Sequence, residues 1–212
     1  HNAGHVTRGR RDLAHANTHL ELESLPTGGW GYDHFPLSAA YARTLGLDFM
    51  GMTGKFHHGW GEFGGVKHPN ALRYEAALSI ANGAACSVGD QLHPLGKMNH
   101  STYALIGKAF AEVEQKEPWI AGAKNVADIA VLGSQAIERG IKDRNDCPPD
   151  IGANRILKEG HYLYNFVDLE EDFGKYKVLV LPDVVKVDKA LQEKLSAYLS
   201  QGGKILATGQ SG

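Results

Sequence analysis

The sequence predicts an α/β protein in which the C-terminal part of a (β/α)8 TIM barrel precedes a second α/β domain, and three observations support that prediction. Residues 1–122 repeat a unit in which a short strand ends in a polar, glycine-rich loop and is followed by a helix, which is the unit of a β/α barrel. From about residue 123, apolar strands alternate with charged helices, as in a three-layer α/β domain. Ten of the 11 histidines lie at or before position 100, so we expect the chemistry in the first part.

Three strand-loop-helix units can be placed within residues 1–122. The predicted strands are 19–23, 48–53 and 84–88, and the loops that follow them are 24–33, 54–68 and 89–99. Apolar residues at helical spacing predict helices over 37–44, 70–82 and 102–117. A complete barrel has eight units in about 250 residues, so we expect an incomplete barrel whose functional groups lie in the loops after the strands.

The second domain is predicted to span residues 123–212. Apolar runs at 127–132 and 177–182 are typical of buried parallel strands, and 150–159 and 188–199 carry helical spacing. A third strand follows the turn at Gly202 and Gly203 and leads into a glycine-rich loop. We expect this domain to continue beyond residue 212. The first residues resemble the end of a strand and begin without Met, so we expect an N-terminal truncation, and the localisation stays open.

Composition excludes several classes of function. A formal net charge of -2 gives no global attraction to nucleic acid or to an anionic membrane, and no apolar run approaches the length of a membrane span. The two cysteines, Cys86 and Cys147, lack the spacing of a zinc motif, and neither a His-Glu-x-x-His pattern nor a nucleotide-binding glycine loop is present. We therefore expect no metal and no cofactor.

The loops after the predicted strands combine carboxylates with aromatic rings, and that mixture suits a saccharide. Hydrolysis of a glycosidic bond takes two carboxyl groups about 5 to 9.5 Å apart. Aromatic faces give pyranose rings an apolar platform, while polar side chains hydrogen-bond the hydroxyls. The candidate catalytic residues are Glu21, Glu62, Glu23 and Asp90. The candidate substrate-binding residues are Trp30, Tyr32, Asp33, His34, Lys55, His57, Trp60 and His93.

Ordinary structural roles compete with these assignments. Glu21 and Glu23 alternate in one strand and so face the same side, which is also common for charges on a solvent face. An exposed loop carboxylate is as good an interpretation of Glu62 as a functional one. The adjacent His57 and His58 point in different directions, so at most one of them is expected to line a site.

Three loop motifs make the first part of the chain resemble a known family. They are Thr27-Gly-Gly-Trp-Gly-Tyr-Asp-His-Phe-Pro36, Gly51-Met-Thr-Gly-Lys-Phe-His57 with Trp60-Gly-Glu-Phe-Gly-Gly65, and Gly89-Asp-Gln-Leu-His-Pro94. The chain resembles the bacterial glycosidases called hypothetical glycosyl hydrolase 6, often labelled α-L-fucosidase. Residues from about 127 to 212 resemble the start of the trimerisation domain of family 42 β-galactosidases.

The resemblance implies a fold, a reaction and partners. It implies that strands near residues 2–6, 19, 48 and 84 are the fifth to eighth of the barrel, and that the second domain is flavodoxin-like, similar to class I glutamine amidotransferases without their catalytic cysteine. It also implies a saccharide substrate and a homo-oligomer, a trimer or a dimer.

The resemblance nominates two different acids. Family 29 α-L-fucosidases place a Glu eleven residues before the Tyr of Trp-Gly-Tyr, a spacing that Glu21 and Tyr32 share, although Leu20 stands where those enzymes have Trp. Family 42 enzymes place their nucleophile after the seventh strand, which nominates Glu62. The fucosidase nucleophile is an Asp after the fourth strand, outside this chain. We therefore predict a retaining glycosidase, and the rival hypothesis is a carbohydrate-binding or oligomer-assembly module without turnover.

Overall fold

The computed structural model describes residues 9–138 and 147–212, which form two α/β units, each around one parallel sheet. The strand predicted near residues 2–6 lies outside the described residues. The strands are β1 His19–Glu23, β2 Asp48–Gly54, β3 Ala85–Gly89, β4 Ile129–Leu132, β5 Tyr164–Val167, β6 Val178–Leu181 and β7 Lys204–Ala207. The helices are α1 Arg11–His15, α2 His34–Ala42, α3 Pro69–Ala81, α4 His100–Ile120, α5 Ser134–Glu138, α6 Pro148–Glu159 and α7 Lys189–Ser200.

The first sheet has the strand order β1-β2-β3, so each strand pairs with the next one along the chain. Strand β1 has the predicted bounds, β2 ends one residue later than predicted, and β3 begins and ends one residue later than predicted. Helix α2 begins three residues earlier than predicted, at His34, because Pro36 falls in the first turn, where its missing N–H costs no hydrogen bond. That early start places His34 in the first turn of the helix and makes Asp33 the residue that precedes the helix.

The second sheet has the order β5-β4-β6-β7, with every neighbouring pair parallel. The predicted strands at 127–132 and 177–182 are confirmed with shorter bounds, and the predicted helices are confirmed as α6 (Pro148–Glu159) and α7. Strand β5 was not predicted from the sequence. It is four residues long and contains the polar Asn165, so it lacks the continuous apolar run that marks β4 and β6.

The two faces of the first sheet differ. On β1, Leu20 and Leu22 are fully buried beneath the helices, while the alternating Glu21 and Glu23 lie on the opposite, partly open face. A Cβ on Gly51 of β2 would come within 2.4 Å of Ser79 Oγ on α3, so glycine is what allows this helix to pack so closely. The helices therefore cover one face, and the predicted shared face of the two glutamates is confirmed.

The two units share a hydrophobic core and a buried ion cluster. Leu20 and Tyr41 of the first unit pack in one cluster with Phe166 of the second. Arg11 donates from Nε to Asp168 Oδ2 at 2.7 Å and from Nη2 to Glu171 Oε2 at 2.7 Å. The Tyr41 hydroxyl donates to the Asp168 carboxylate as well. The units are thus packed as one body, and the boundary at residues 122 and 123 stays a prediction.

We expect Arg11→Met to lower the free energy of unfolding by about 3 kcal/mol, because Asp168 is 4% exposed and would lose the cation that pairs with it. Glu171, which is 5% exposed, would keep only the ion pair with Lys175. Burial alone would raise the pKa of Asp168, but the hydrogen bonds from Tyr41 and Arg11 outweigh it and hold that pKa below its usual value. The stabilisation is therefore present above the ordinary carboxyl pKa and is lost as the pH falls through the lowered one.

Urea unfolding at neutral and acidic pH measures this effect. Arg10→Met is the matched control, since Arg10 pairs with Asp12 on the surface and both side chains are more than half exposed. Equal losses of stability for the two variants would contradict the view that the buried ion cluster of Arg11 stabilises the contact between the units.

Candidate saccharide site at the strand ends

The carboxyl ends of β1, β2 and β3 lie side by side at one edge of the first sheet. Ser24 N–H donates to the Met52 carbonyl at 2.8 Å, and Lys55 N–H donates to the Gly89 carbonyl at 2.9 Å. These bonds extend the strand pairing into the loops, so the first residues of each loop are fixed by the sheet. The predicted site residues lie on these strands and in the loops that follow them.

The β1 carboxylates lie on the open face at different depths. Glu23 is the last residue of the strand, and Glu21 is two residues deeper, which corresponds to about 6.6 Å along a strand. Glu21 Oε1 lies 3.8 Å from His19 Nε2, and its side chain is 33% exposed. In the register of the sheet the two glutamates lie beside Met50 and Met52, so the surroundings of each carboxylate on this face are partly apolar.

The loop after β1 turns most of its polar side chains towards the helices and the second unit. The rings of Trp30 and His34 meet edge to face at 5.0 Å, and His34 is buried with Nδ1 3.2 Å from Ser24 Oγ. Asp33 accepts hydrogen bonds from Arg155 at 2.7 Å and from Lys158 at 3.3 Å, both on α6. The structure thus engages Asp33 in the contact between the two units and buries His34 beside Ser24.

Tyr32 sits above a buried charge network. Its hydroxyl donates to Glu75 Oε1 at 3.2 Å, while Glu75 Oε2 accepts from Thr53 Oγ1 at 2.7 Å and from Lys67 Nζ at 2.6 Å. Burial and the Glu75 carboxylate raise the pKa of Tyr32 to about 12, so the hydroxyl stays a donor at neutral pH. Burial lowers the pKa of Lys67, and the attraction of Glu75 offsets only part of that effect.

The loop after β2 is closed at its base, where Lys67 N–H donates to the Lys55 carbonyl at 2.8 Å. Phe56 is buried beneath this loop, and its ring meets Trp60 edge to face at 5.1 Å. The Trp60 ring passes directly over Gly89, where a Cβ would come within 2.2 Å of the indole. Glycine at position 89 therefore lets Trp60 lie against the end of β3 with half of its surface exposed.

Glu62 is folded back onto its own loop. Its carboxylate accepts the backbone N–H of His58 at 2.7 Å and lies 3.3 Å from His58 Nδ1, and its side chain covers Gly65. The hydrogen bonds from the backbone and ring of His58 lower the pKa of Glu62. His57 is exposed, and its ring packs against that of His58 at 4.3 Å. The carboxylate of Glu62 is thus an exposed anion held by local contacts.

Lys55 and Asp90 meet between the ends of β2 and β3. Lys55 Nζ donates to the Phe63 carbonyl at 2.8 Å and lies 4.0 Å from Asp90 Oδ1. The ring of Phe63 packs against His93 at 5.7 Å. Five residues from two loops therefore come together here, and we call them the Lys55 cluster: Lys55, Trp60, Phe63, Asp90 and His93.

Sequence reasoning did not single out Lys67 or Glu75. Glu75 lies on the buried face of α3 with Leu72, Ala76 and Ser79, so a charge among residues at apolar helical spacing was the available signal. Among the described residues, no group of three or more His, Cys, Asp or Glu side chains is placed to hold a metal ion. No helix in the same part of the chain has the length and apolar character that a membrane span requires.

The fold and the site together define a two-unit α/β protein with a row of carboxylates, cations and aromatic rings at the ends of parallel strands. Residues 155–212 match the family model of the β-galactosidase trimerisation domain. The whole chain is 59% identical to part of α-L-fucosidase isoenzyme 2 from Paenibacillus thiaminolyticus, with a TM-score of 0.94 and coverage of 100% of this chain and 32% of that one. The predicted resemblance is thereby confirmed: the chain is similar to this α-L-fucosidase, and its residues 155–212 are similar to the trimerisation domain.

Family 42 β-galactosidases share the fold at much lower identity. The enzyme from G. stearothermophilus is 15% identical with a TM-score of 0.73, over 95% of this chain and 34% of that one. The enzyme from Bacillus circulans sp. alkalophilus is 19% identical with a TM-score of 0.72, and the alignment covers 95% of this chain and 34% of that one. The chain thus spans about a third of the length of each of these proteins. A comparison with curated proteins found no match.

Proposed function

We propose that this chain is the part of a longer glycoside hydrolase that contributes one side of the active site, with an α-L-fucoside as the first substrate to test. The observation that supports this most strongly is the 59% identity to an α-L-fucosidase in an alignment that covers the whole of this chain. A β-galactoside is the second substrate to test, because the family 42 enzymes have the same fold.

The proposed architecture is the last part of a (β/α)8 barrel followed by a flavodoxin-like domain. The sequential parallel order of β1, β2 and β3, with a helix after each strand, supports the barrel assignment. In a barrel the open face of this sheet would line the interior, and the strand ends would form the mouth where active sites lie. The parallel four-stranded second sheet with helices between its strands supports the flavodoxin-like assignment.

Within this proposal Glu21 is the general acid/base of a retaining hydrolysis. Its place on the open face of β1 and its spacing from Tyr32 support that role, and Glu23 is the alternative on the same face. The nucleophile would lie on an earlier strand of the longer protein, about 5 to 5.5 Å from the acid. Glu62 is the weaker candidate, because its carboxylate is already engaged by His58.

The remaining candidates are proposed to surround the sugar. Trp60 would offer its exposed ring as a platform, with Lys55, Asp90 and His93 beside it. Trp30, Tyr32 and His57 would form the outer rim. Asp33 and His34 would act indirectly, by fixing the loop after β1 against α6 and Ser24.

The second unit is proposed to assemble the longer protein into a homo-oligomer. Residues 155–212 match a domain described by its role in trimerisation, and this supports the assignment. The mass of the longer protein in solution, measured by light scattering, tests it. A trimer or another oligomer is expected, and a monomer at micromolar concentration would contradict it.

Hydrolysis of a panel of nitrophenyl glycosides by the longer protein, with the 212-residue chain assayed beside it, tests the proposed reaction. We expect the longer protein to hydrolyse the α-L-fucoside and the chain alone to be inactive, because the nucleophile lies outside it. Saccharide binding without hydrolysis of any glycoside would instead favour the rival, a binding or assembly module.

A further inference from the structure

The ammonium group of Lys55 is a buried cation with unused hydrogen-bond donors. Its side chain is 5% exposed, and Nζ donates to the Phe63 carbonyl at 2.8 Å. Within residues 9–138 and 147–212 the next polar atom paired with it is Asp90 Oδ1, which at 4.0 Å is too far for a hydrogen bond. An ammonium group has three N–H donors, so two of them lack a partner in the part of the chain that the structure describes.

Asp90 is the complementary acceptor. Its Oδ1 accepts the backbone N–H of Gln91 at 2.8 Å, which fixes the carboxylate at the end of β3, and its side chain is 16% exposed. Carboxylates can accept several hydrogen bonds, so acceptor capacity remains beside the Lys55 ammonium. A fixed donor and a fixed acceptor thus lie 4.0 Å apart at the strand ends.

Aromatic rings lie beside the Lys55 ammonium group. Lys55 Nζ lies 5.0 Å from the centroid of the Phe56 ring and 5.9 Å from that of Phe63. Trp60, packed over Gly89, presents an exposed ring on the same side of the strand ends. A polar pair beside an aromatic platform matches a ligand with hydroxyls on one edge and C–H groups on one face, which is the chemistry of a pyranose.

We propose that Lys55 and Asp90 together bind two adjacent hydroxyls of a saccharide, with Lys55 donating to one oxygen and Asp90 accepting from its neighbour. This inference rests on the proposed glycosidase function and adds to it a specificity for sugars that present a free vicinal diol to the pair. It also gives Asp90 a binding role in place of a role in bond cleavage. A buried donor or acceptor left without its hydroxyl is costly, so sugars lacking either hydroxyl should be rejected.

The test combines variants of the longer protein with monodeoxy analogues of the nitrophenyl glycoside that it hydrolyses best. For the unaltered protein we expect each of two adjacent deoxy positions to lower kcat/KM by about 10- to 150-fold, the range of a hydrogen bond to a charged group. In Lys55→Met the penalty at one of these positions should disappear, and in Asp90→Asn the penalty at the adjacent position should shrink. Lys116→Met, on the exposed surface of α4, is the control and should keep both penalties.

Both deoxy penalties persisting unchanged in Lys55→Met and Asp90→Asn would overturn the inference while leaving the glycosidase function intact. If Lys55→Met fails to fold by circular dichroism, Asp90→Asn decides the comparison: a smaller penalty at one deoxy position supports the inference, and unchanged penalties at both positions overturn it. If the longer protein hydrolyses no glycoside, the proposed function fails, and calorimetric binding of the free monosaccharide and its deoxy forms decides the inference separately. Equal affinities for all these sugars, or no binding, would overturn it.

Discussion

Replacing Glu21 with Gln in the longer protein is expected to lower kcat by about 10²- to 10⁴-fold, the usual contribution of a general acid/base. The amide keeps the size of the side chain but cannot deliver or accept the proton. The loss should be smaller for a nitrophenyl glycoside than for a natural saccharide, because nitrophenolate leaves without protonation. Kinetics on both substrates therefore distinguish two causes. A smaller loss of kcat on the nitrophenyl glycoside indicates a lost proton donor, and equal losses on both substrates indicate a disturbed site.

Three further variants test whether the loss of kcat is specific to Glu21. Glu23→Gln tests the other carboxylate of the same face, and Glu62→Gln should cost less than Glu21→Gln because Glu62 is held by His58 in its own loop. Glu193→Gln, on the exposed surface of α7, is the control and should leave kcat unchanged. If Glu62→Gln lowered kcat by about 10²- to 10⁴-fold while Glu21→Gln kept normal turnover, the general acid/base would be Glu62 in the loop after β2 and not Glu21.

Lys67→Met is expected to lower the free energy of unfolding by about 3–5 kcal/mol, because it leaves the Glu75 carboxylate buried without its cation. The Lys67 ammonium is fully buried and donates at 2.6 Å to both Thr53 Oγ1 and Glu75 Oε2. The loss should also loosen the β2 loop, since Lys67 N–H closes its base on Lys55. Urea unfolding gives the energy, and indole fluorescence reports the exposure of Trp60 when Trp30 and Trp119 are both replaced by Phe.

The double variant Lys67→Met with Glu75→Met is the matched control for this prediction. It removes both charges, so it should recover much of the stability that the single change loses. If the double variant were as unstable as the sum of the two single variants, the ion pair would not be the reason for the loss.

Much of the fold could be predicted from local sequence patterns. The apolar run at 177–182 gave β6 nearly at its bounds, because buried parallel strands leave a continuous apolar signal. Strand β1, in which Leu alternates with Glu, was predicted at its bounds. Strand β5 carries Asn165 and is defined by its pairing with β4, which no local pattern contains. The start of α2 was missed because Pro36 marks a helix boundary in general but is tolerated within a first turn.

The candidate site was predictable in composition but not in contacts. The sequence placed Lys55, Trp60, Asp90 and His93 in loops after neighbouring strands, and parallel pairing brings those strand ends together. The partners of Asp33 lie 122 and 125 residues further along the chain, so its engagement depends on how the two units pack. Likewise, the contact of Glu62 with His58 depends on the course of the loop backbone.

The structure of the longer protein with the monosaccharide of its best substrate bound tests the central claim most directly. We predict that the sugar lies at the carboxyl ends of β1, β2 and β3, with its ring against Trp60, two hydroxyls on Lys55 and Asp90, and its anomeric carbon towards Glu21. A saccharide bound away from these strand ends, with Glu21, Lys55 and Asp90 free of contact, would contradict the account.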